Sequence, residues 1–160
     1  MDDAASQAPA TVEAARLKAL RALHALDSGT DSRFDRIART AALVLRAPRA
    51  AIVLVDEDRI WHKARVGVLA REYPRAGSLA DLMVRDPRTI FSEDITRDSR
   101  FAANRQALLQ VDVRFYAGAP IIAPGGEAVG VLSVGDPEAH APHTEAEQLA
   151  LEDLAALASE

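Results

Sequence analysis

Hydrophobic positions recur three and four apart in two opening stretches and again at the end of the chain, and elsewhere fall into short apolar runs or alternation. From Thr11 to about Leu26, Leu17, Leu20 and Leu23 lie three apart in an alanine-rich stretch, predicting a helix with one apolar side. Asp27-Ser28-Gly29-Thr30 ends it, glycine acting as the stop. A second helix starts near Thr30 or Asp31, carries Phe34, Ile37, Ala41 and Leu45 on one face, and stops at Ala47-Pro48. Ala50–Val55 is a buried strand. Asp56-Glu57-Asp58-Arg59 is a turn, and Ile60–Gly67 returns as a second strand. A short helix at Leu79–Val84, a strand at Thr89–Phe91, a polar loop at Ser92–Arg100 and a helical segment from about Ala102 to Leu109 follow. Thr144 with Glu147 forms a capping box that opens a last helix through Leu149, Leu154 and Leu157.

The clearest pattern is VRFYAGAPIIAPGGEAVGVLSVGD, Val113 to Asp136. It reads as two strands around Pro124-Gly125-Gly126-Glu127, whose glycines suit a two-residue type I′ turn. With Gly125 and Gly126 as the loop, Tyr116 faces Gly135, Gly118 faces Ser133, and Pro120 faces Val131. One face then holds Phe115, Ala117, Ala119, Ile121, Gly130, Leu132 and Val134, all apolar and suited to close packing of helices. The other sets Arg114 and Tyr116 beside glycines and a serine, which makes a walled space. Arg114 as a solvated ion-pair member and Tyr116 as a core aromatic would explain the same residues. Irregular cover on that face favours the space.

Strands joined by hairpins, with helices at both ends of the sequence, predict an α+β fold. Its central antiparallel sheet has about five to six strands, with terminal helices on one face and irregular segments with short helices over a pocket on the other. Without repeat or low-complexity linker, residues 11–160 read as a single domain behind a flexible 1–10.

Composition narrows the chemistry. A net charge of −5 argues against a nucleic-acid partner. No apolar run is long enough for a membrane helix, and the acidic start is neither signal nor transit peptide, so the expected location is the cytoplasm. The absence of cysteine excludes disulfides, thiolate metal sites and a cysteine nucleophile. His140-Ala-Pro-His143 lacks the regular element that fixes metal-ligand geometry and reads as a solvated loop. His62 alternates onto the face of Val53 and Val55, where packing explains it. No catalytic triad, phosphate-binding glycine loop or spaced carboxylate pair stands out, so no enzyme activity, metal or cofactor is expected.

The strings RFDRIARTAA (33–42), VDEDRIWHKARVG (55–67), DSRFAAN (98–104), RFYAGAPI (114–121) and EDLAAL (152–157) together resemble a GAF domain, the small-molecule-sensing module of bacterial signalling proteins. The resemblance is greatest to domains preceding diguanylate cyclases and sensor kinases. It implies a ligand cavity on one face of the sheet, with a lining that falls on Trp61, Ser78, Asp81, Phe91, Arg114, Tyr116 and Ser133. Relatives often read Ser-Phe-Cys-Ala-His where this chain has Ser78-Leu79-Ala80-Asp81-Leu82. The missing cysteine excludes a thiol-based reductase and covalent bilin attachment. The cyclic-nucleotide signature of mammalian phosphodiesterase GAF domains is also absent, and His62 stands where relatives commonly have an aromatic.

The function expected is therefore that of a non-enzymatic sensory domain that binds an unidentified small molecule and signals through its terminal helices to an output domain or partner protein. The alternative is a dimerising interaction module without a ligand, which the loss of polar groups at Ala80 and Leu82 favours. In either case Leu17, Leu20, Leu23 and Leu26 on the first helix, and Leu149, Leu151, Leu154 and Leu157 on the last, exceed one apolar stripe. That surplus points to a homodimer.

Overall fold

The computed structural model describes residues 3–68, 70–104 and 112–160. Six strands form one antiparallel sheet: β1 (Arg49–Val55), β2 (Arg59–Val66), β3 (Glu72–Pro74), β4 (Ile90–Ser92), β5 (Phe115–Ile122) and β6 (Ala128–Asp136). Their spatial order is β3-β2-β1-β6-β5-β4. Helices α1 (Asp3–Ala22), α2 (Ser32–Leu45) and α4 (Glu145–Ala158) supply one face, and α3 (Leu79–Arg85) with the intervening loops supplies the other. The fold is α+β, as the pattern predicts.

Each face has its own apolar core because side chains alternate along every strand. Ile52, Leu54, Phe115, Ala117, Ala119, Ile121, Leu132 and Val134 pack with Leu17, Leu20, Ile37, Ala41, Leu45, Leu151 and Ala155 of the helices. On the opposite face Val53, Val55 and Val131 meet Leu79, Met83 and Val84 of α3, with Ile95 and Phe101 from the loops. Alanines at 38, 41, 42, 117 and 119 let α2 and α4 sit close to the sheet.

The hairpin pairs as expected, but through a different turn. Tyr116 faces Gly135, Gly118 faces Ser133 and Pro120 faces Val131. The loop, however, has three residues: Ala123 N–H donates to Glu127 O and Gly126 N–H donates to Ala123 O, both at 2.8 Å. Pro124 and Gly125 form the turn, and only Gly126 takes positive φ (98°). This is the turn-plus-left-handed-residue hairpin rather than type I′. A bulge that pairs Ile122 with Ala128 but Ile121 with Gly130 restores the register that a two-residue loop would have set. The two departures cancel.

Other boundaries shift for local reasons. Helix α1 begins at Asp3 rather than Thr11 and ends at Ala22, where His24 takes left-handed φ (52°); Gly29 is not its stop. Asp31 caps α2, accepting from Arg33 N–H at 2.9 Å. Thr144 and Glu147 form the predicted capping box of α4. The polar loop after β4 is folded on Asp94 and Asp98, which accept the backbone N–H groups of Thr96 and Arg100. It leads into a 3-10 helix over Ser99–Asn104, and the rest of the helical segment expected to Leu109 lies outside the described residues. The helix beside α4 is α2. Helix α1 instead lies at the end of the sheet near Val55, whose carbonyl accepts from the buried Arg16 at 2.7 Å.

Candidate ligand-binding site

The face opposite the long helices is not completely filled. A cavity of about 530 Å³ lies between β1, β2 and β6 on one side and Val68, residues 73–80 and residues 112–116 on the other. Its floor is made of small residues, Ala51, Ser133 and Gly135, and its walls include Ile60, Val68, Tyr73, Leu79 and Val113. Such a mostly apolar hollow with few polar groups has the composition of small-molecule sites.

Tyr116 explains the polar end of the hairpin. Gly118 leaves the space its ring needs: a Cβ there would come 2.8 Å from the Tyr116 hydroxyl. The hydroxyl shares a hydrogen bond of 2.9 Å with Ser133 Oγ and approaches Met83 sulfur at 3.5 Å. Burial pushes the phenol up to about 12, only partly offset by the Ser133 hydrogen bond, so it stays protonated at neutral pH. Tyr116 thus joins sheet to α3 and also lines the cavity.

Of the residues named from the resemblance, Ser78, Tyr116 and Ser133 come together around this space. Ser78 also caps α3, accepting from Asp81 N–H at 3.1 Å. The other four lie elsewhere. Trp61 points to the helix side, opposite Leu54, with the Arg71 guanidinium 5.4 Å from its ring centre. Phe91 stacks on His143 at 3.9 Å. Asp81 lies behind the wall, where it binds Arg75 at 2.7 Å and Arg85 at 3.2 Å. Arg114 is 46% exposed and pairs with Asp94 at 2.9 Å, the solvated arrangement that the sequence also allowed.

His62 is the lining residue that packing was expected to explain. A bulge in β2 after His62 pairs Val53 with His62 and Ile52 with Ala64, leaving Lys63 between them. Trp61 and Ala64 therefore join the helix-side core, and His62 faces the cavity with Val53. The signal was present in the alternation that put His62 with Val53. The expected solvated loop at 140–143 is also more ordered: His140 stacks on Phe115 at 3.8 Å and binds Asp136 at 2.7 Å.

The wall containing Pro74, Ala76 and Ser78 is tied to α1 by Arg75, which is 10% exposed. Its guanidinium donates to Asp81, to Glu13 on α1 and to the Asp56 carbonyl. Glu13 also receives two hydrogen bonds from Arg16, both 2.9 Å. Hydrogen bonds from Arg16, opposed by burial and reinforced by Arg75, hold the Glu13 carboxyl down to about 2.

The profile of the GAF domain matches residues 30–160. This chain belongs to the GAF domain family. Over 132 residues the GAF chain is 33% identical to a cyclic di-GMP phosphodiesterase of Pseudomonas aeruginosa, covering 82% of this chain but only 22% of that protein. Its fold is similar to the GAF domain of an Acinetobacter phosphoenolpyruvate-protein phosphotransferase, with TM-score 0.65 and 20% identity over 89% of each chain. It is likewise similar to the blue-light-absorbing PixJ GAF domain of Thermosynechococcus elongatus, with TM-score 0.65 and 17% identity over 80% of this chain and 81% of that one. These structural likenesses establish the fold. The GAF match begins at residue 30, so α1, with Glu13 and Arg16, lies outside it. Among the described residues no acidic, histidine or cysteine cluster could hold a metal, and no helix is long and apolar enough to cross a membrane.

Proposed function

We propose that this GAF domain is a non-catalytic sensory module that binds a small molecule in the cavity and passes its presence to the helices. The observation that carries this reading is the cavity itself, apolar, floored by small residues and edged by Ser78, Tyr116, Ser133 and His62. The Arg75 link gives the cavity wall a physical connection to α1. The match to part of a cyclic di-GMP phosphodiesterase supports a regulatory place in signalling proteins of that kind, acting on an output domain or partner.

The test is thermal unfolding in the presence of a low-molecular-mass extract of the source cells. A ligand at about a hundred times its Kd stabilises by roughly 2.7 kcal/mol. In a domain of this size that raises Tm by about 5–10 °C. Ala51→Phe, which fills the cavity from its floor, should remove the shift while leaving the unliganded protein folded. An equal shift in both proteins would place binding elsewhere and refute the reading.

The same domain is proposed to dimerise through its helical face. Leu43 (72% exposed) on α2 and Leu149 (58% exposed) on the neighbouring α4 leave apolar surface outside the core, as do Val44 and Leu157 on the same two helices. Of the leucines that exceed one stripe on the first and last helices, Leu17, Leu20 and Leu151 are instead buried in the core.

A further inference from the structure

We propose, building on the cavity as the ligand site, that it selects an uncharged planar ring bearing an N–H or O–H donor, and that His62 Nε2 is the group that accepts this hydrogen bond. Three observations lead there. The first is the fixed direction of the imidazole. His62 Nδ1 lies 2.9 Å from the Ala70 carbonyl oxygen, which can only accept, so the ring proton sits on Nδ1. Nε2 of the neutral ring is then a bare acceptor.

The second is that this acceptor has no partner among the described residues, although His62 is only 5% exposed. No buried side-chain nitrogen or oxygen among them is both sealed off and unpartnered, so Nε2 opens onto space, and the space His62 lines is the cavity. The groups packed around the ring hold it neutral. Burial opposes the charged form, the nearby Arg65 and Arg71 add to that, and the neighbouring aromatic is Tyr73, edge-on at 5.6 Å. The Ala70 carbonyl pulls the other way and is outweighed.

The third is the neutrality of the interior. The charged lining residues, Arg49 and Asp112, are not buried and are joined by a hydrogen bond from Arg49 to the Asp112 carbonyl, while the remaining polar groups are hydroxyls and the imidazole. An ion deep in the cavity would lose its water without a counter-charge. His62 and Ser133 stand on strands separated by β1, roughly 10 Å apart across the sheet, with Ala51 and Val53 of β1 between them. A flat ring fits over that small-residue floor, its donor at His62 and any second polar group at the Ser133–Tyr116 pair.

Indole and 1-methylindole are probes of almost one shape that differ in the ring donor. Titrated into protein with nitrogen-15-labelled histidine, indole should move the His62 Nε2 resonance and bind about tenfold more tightly than 1-methylindole. His62→Phe should bring the two probes to equal affinity, and His62→Gln, which keeps an acceptor, should preserve the preference. If His62→Phe fails to fold, the wild-type comparison and the Nε2 resonance still decide. Equal affinities on the wild type, or binding that leaves Nε2 unmoved, overturn the proposal while the cavity remains a ligand site. If neither probe binds at millimolar concentration, the proposal fails, and the Ala51→Phe comparison decides separately whether the cavity holds a ligand.

Discussion

Arg75 is where a loss should be most costly for its size. Its guanidinium binds Asp81, Glu13 and the carbonyl of Asp56, and it stands 10% exposed, beside an Asp81 carboxylate that is 12% exposed. Arg75→Met keeps most of the apolar stem and removes the charge. Taking one partner from a buried ion pair costs about 3–5 kcal/mol. The expectation here is lower, because Glu13 is 34% exposed and keeps Arg16, and Asp81 keeps the exposed Arg85. About 2–3 kcal/mol remains. With a urea dependence of about 2 kcal/mol per molar, the midpoint should fall by about 1 to 1.5 M. Arg85→Ala, which removes a side chain that is 69% exposed, should cost under about 1 kcal/mol and serves as the control. Circular dichroism in urea measures both. An Arg75→Met loss no larger than that of Arg85→Ala would refute the buried network and with it the link from cavity wall to α1. The pH dependence has a definite sign. Glu13 is depressed from 4.5 to about 2 on folding, so its contribution is full above 4.5 and is lost as pH falls toward 2. The gap between wild type and Arg75→Met should narrow over that range.

Ala119→Leu should cost roughly 1–3 kcal/mol, since Ala119 is sealed between β5 and the helices and the added volume has no space; a neutral result in urea unfolding would put it on the wrong face. His62 is lowered below 6.5 by burial, so the unfolded chain takes up its proton first and stability should fall as pH drops below 6.5. His62→Gln should lose that part of the slope, and an unchanged profile would mean the imidazole is not buried neutral. For the dimer, sedimentation at micromolar concentration should show two chains, with Leu149→Glu shifting them to monomer; a wild-type monomer unchanged by a tenfold rise in concentration would end that proposal.

What was legible in the sequence was whatever strand alternation or capping chemistry controls. The two faces of β5 and β6 separate because a one-residue slip would bury Arg114 and expose Phe115. The end of α4 nearest Thr144 was readable because the capping box is local. The turn type was not, because a three-residue loop and a bulge together give the pairing of a two-residue loop, and only backbone angles distinguish them. The site was harder still. Trp61 and His62 are adjacent in a strand and cannot share a face, yet the resemblance drew Trp61 toward the cavity while alternation gave His62 to the side of Val53. Following the alternation through would have chosen His62. Asp81 and Arg114 attract notice as charged residues near the site, but each is held by a partner of opposite charge, Arg75 and Asp94, brought close only by folding.

The central claim is that the space between the sheet and residues 73–80 holds a small molecule. Native mass spectrometry of the protein purified from its own cells tests this most directly, with Ala51→Phe purified alongside. The account predicts a non-covalent adduct on the wild-type chain, released on gentle activation and absent from the filled variant. An adduct carried equally by both proteins, or a wild-type chain that travels bare under conditions that preserve known complexes of similar affinity, would contradict it.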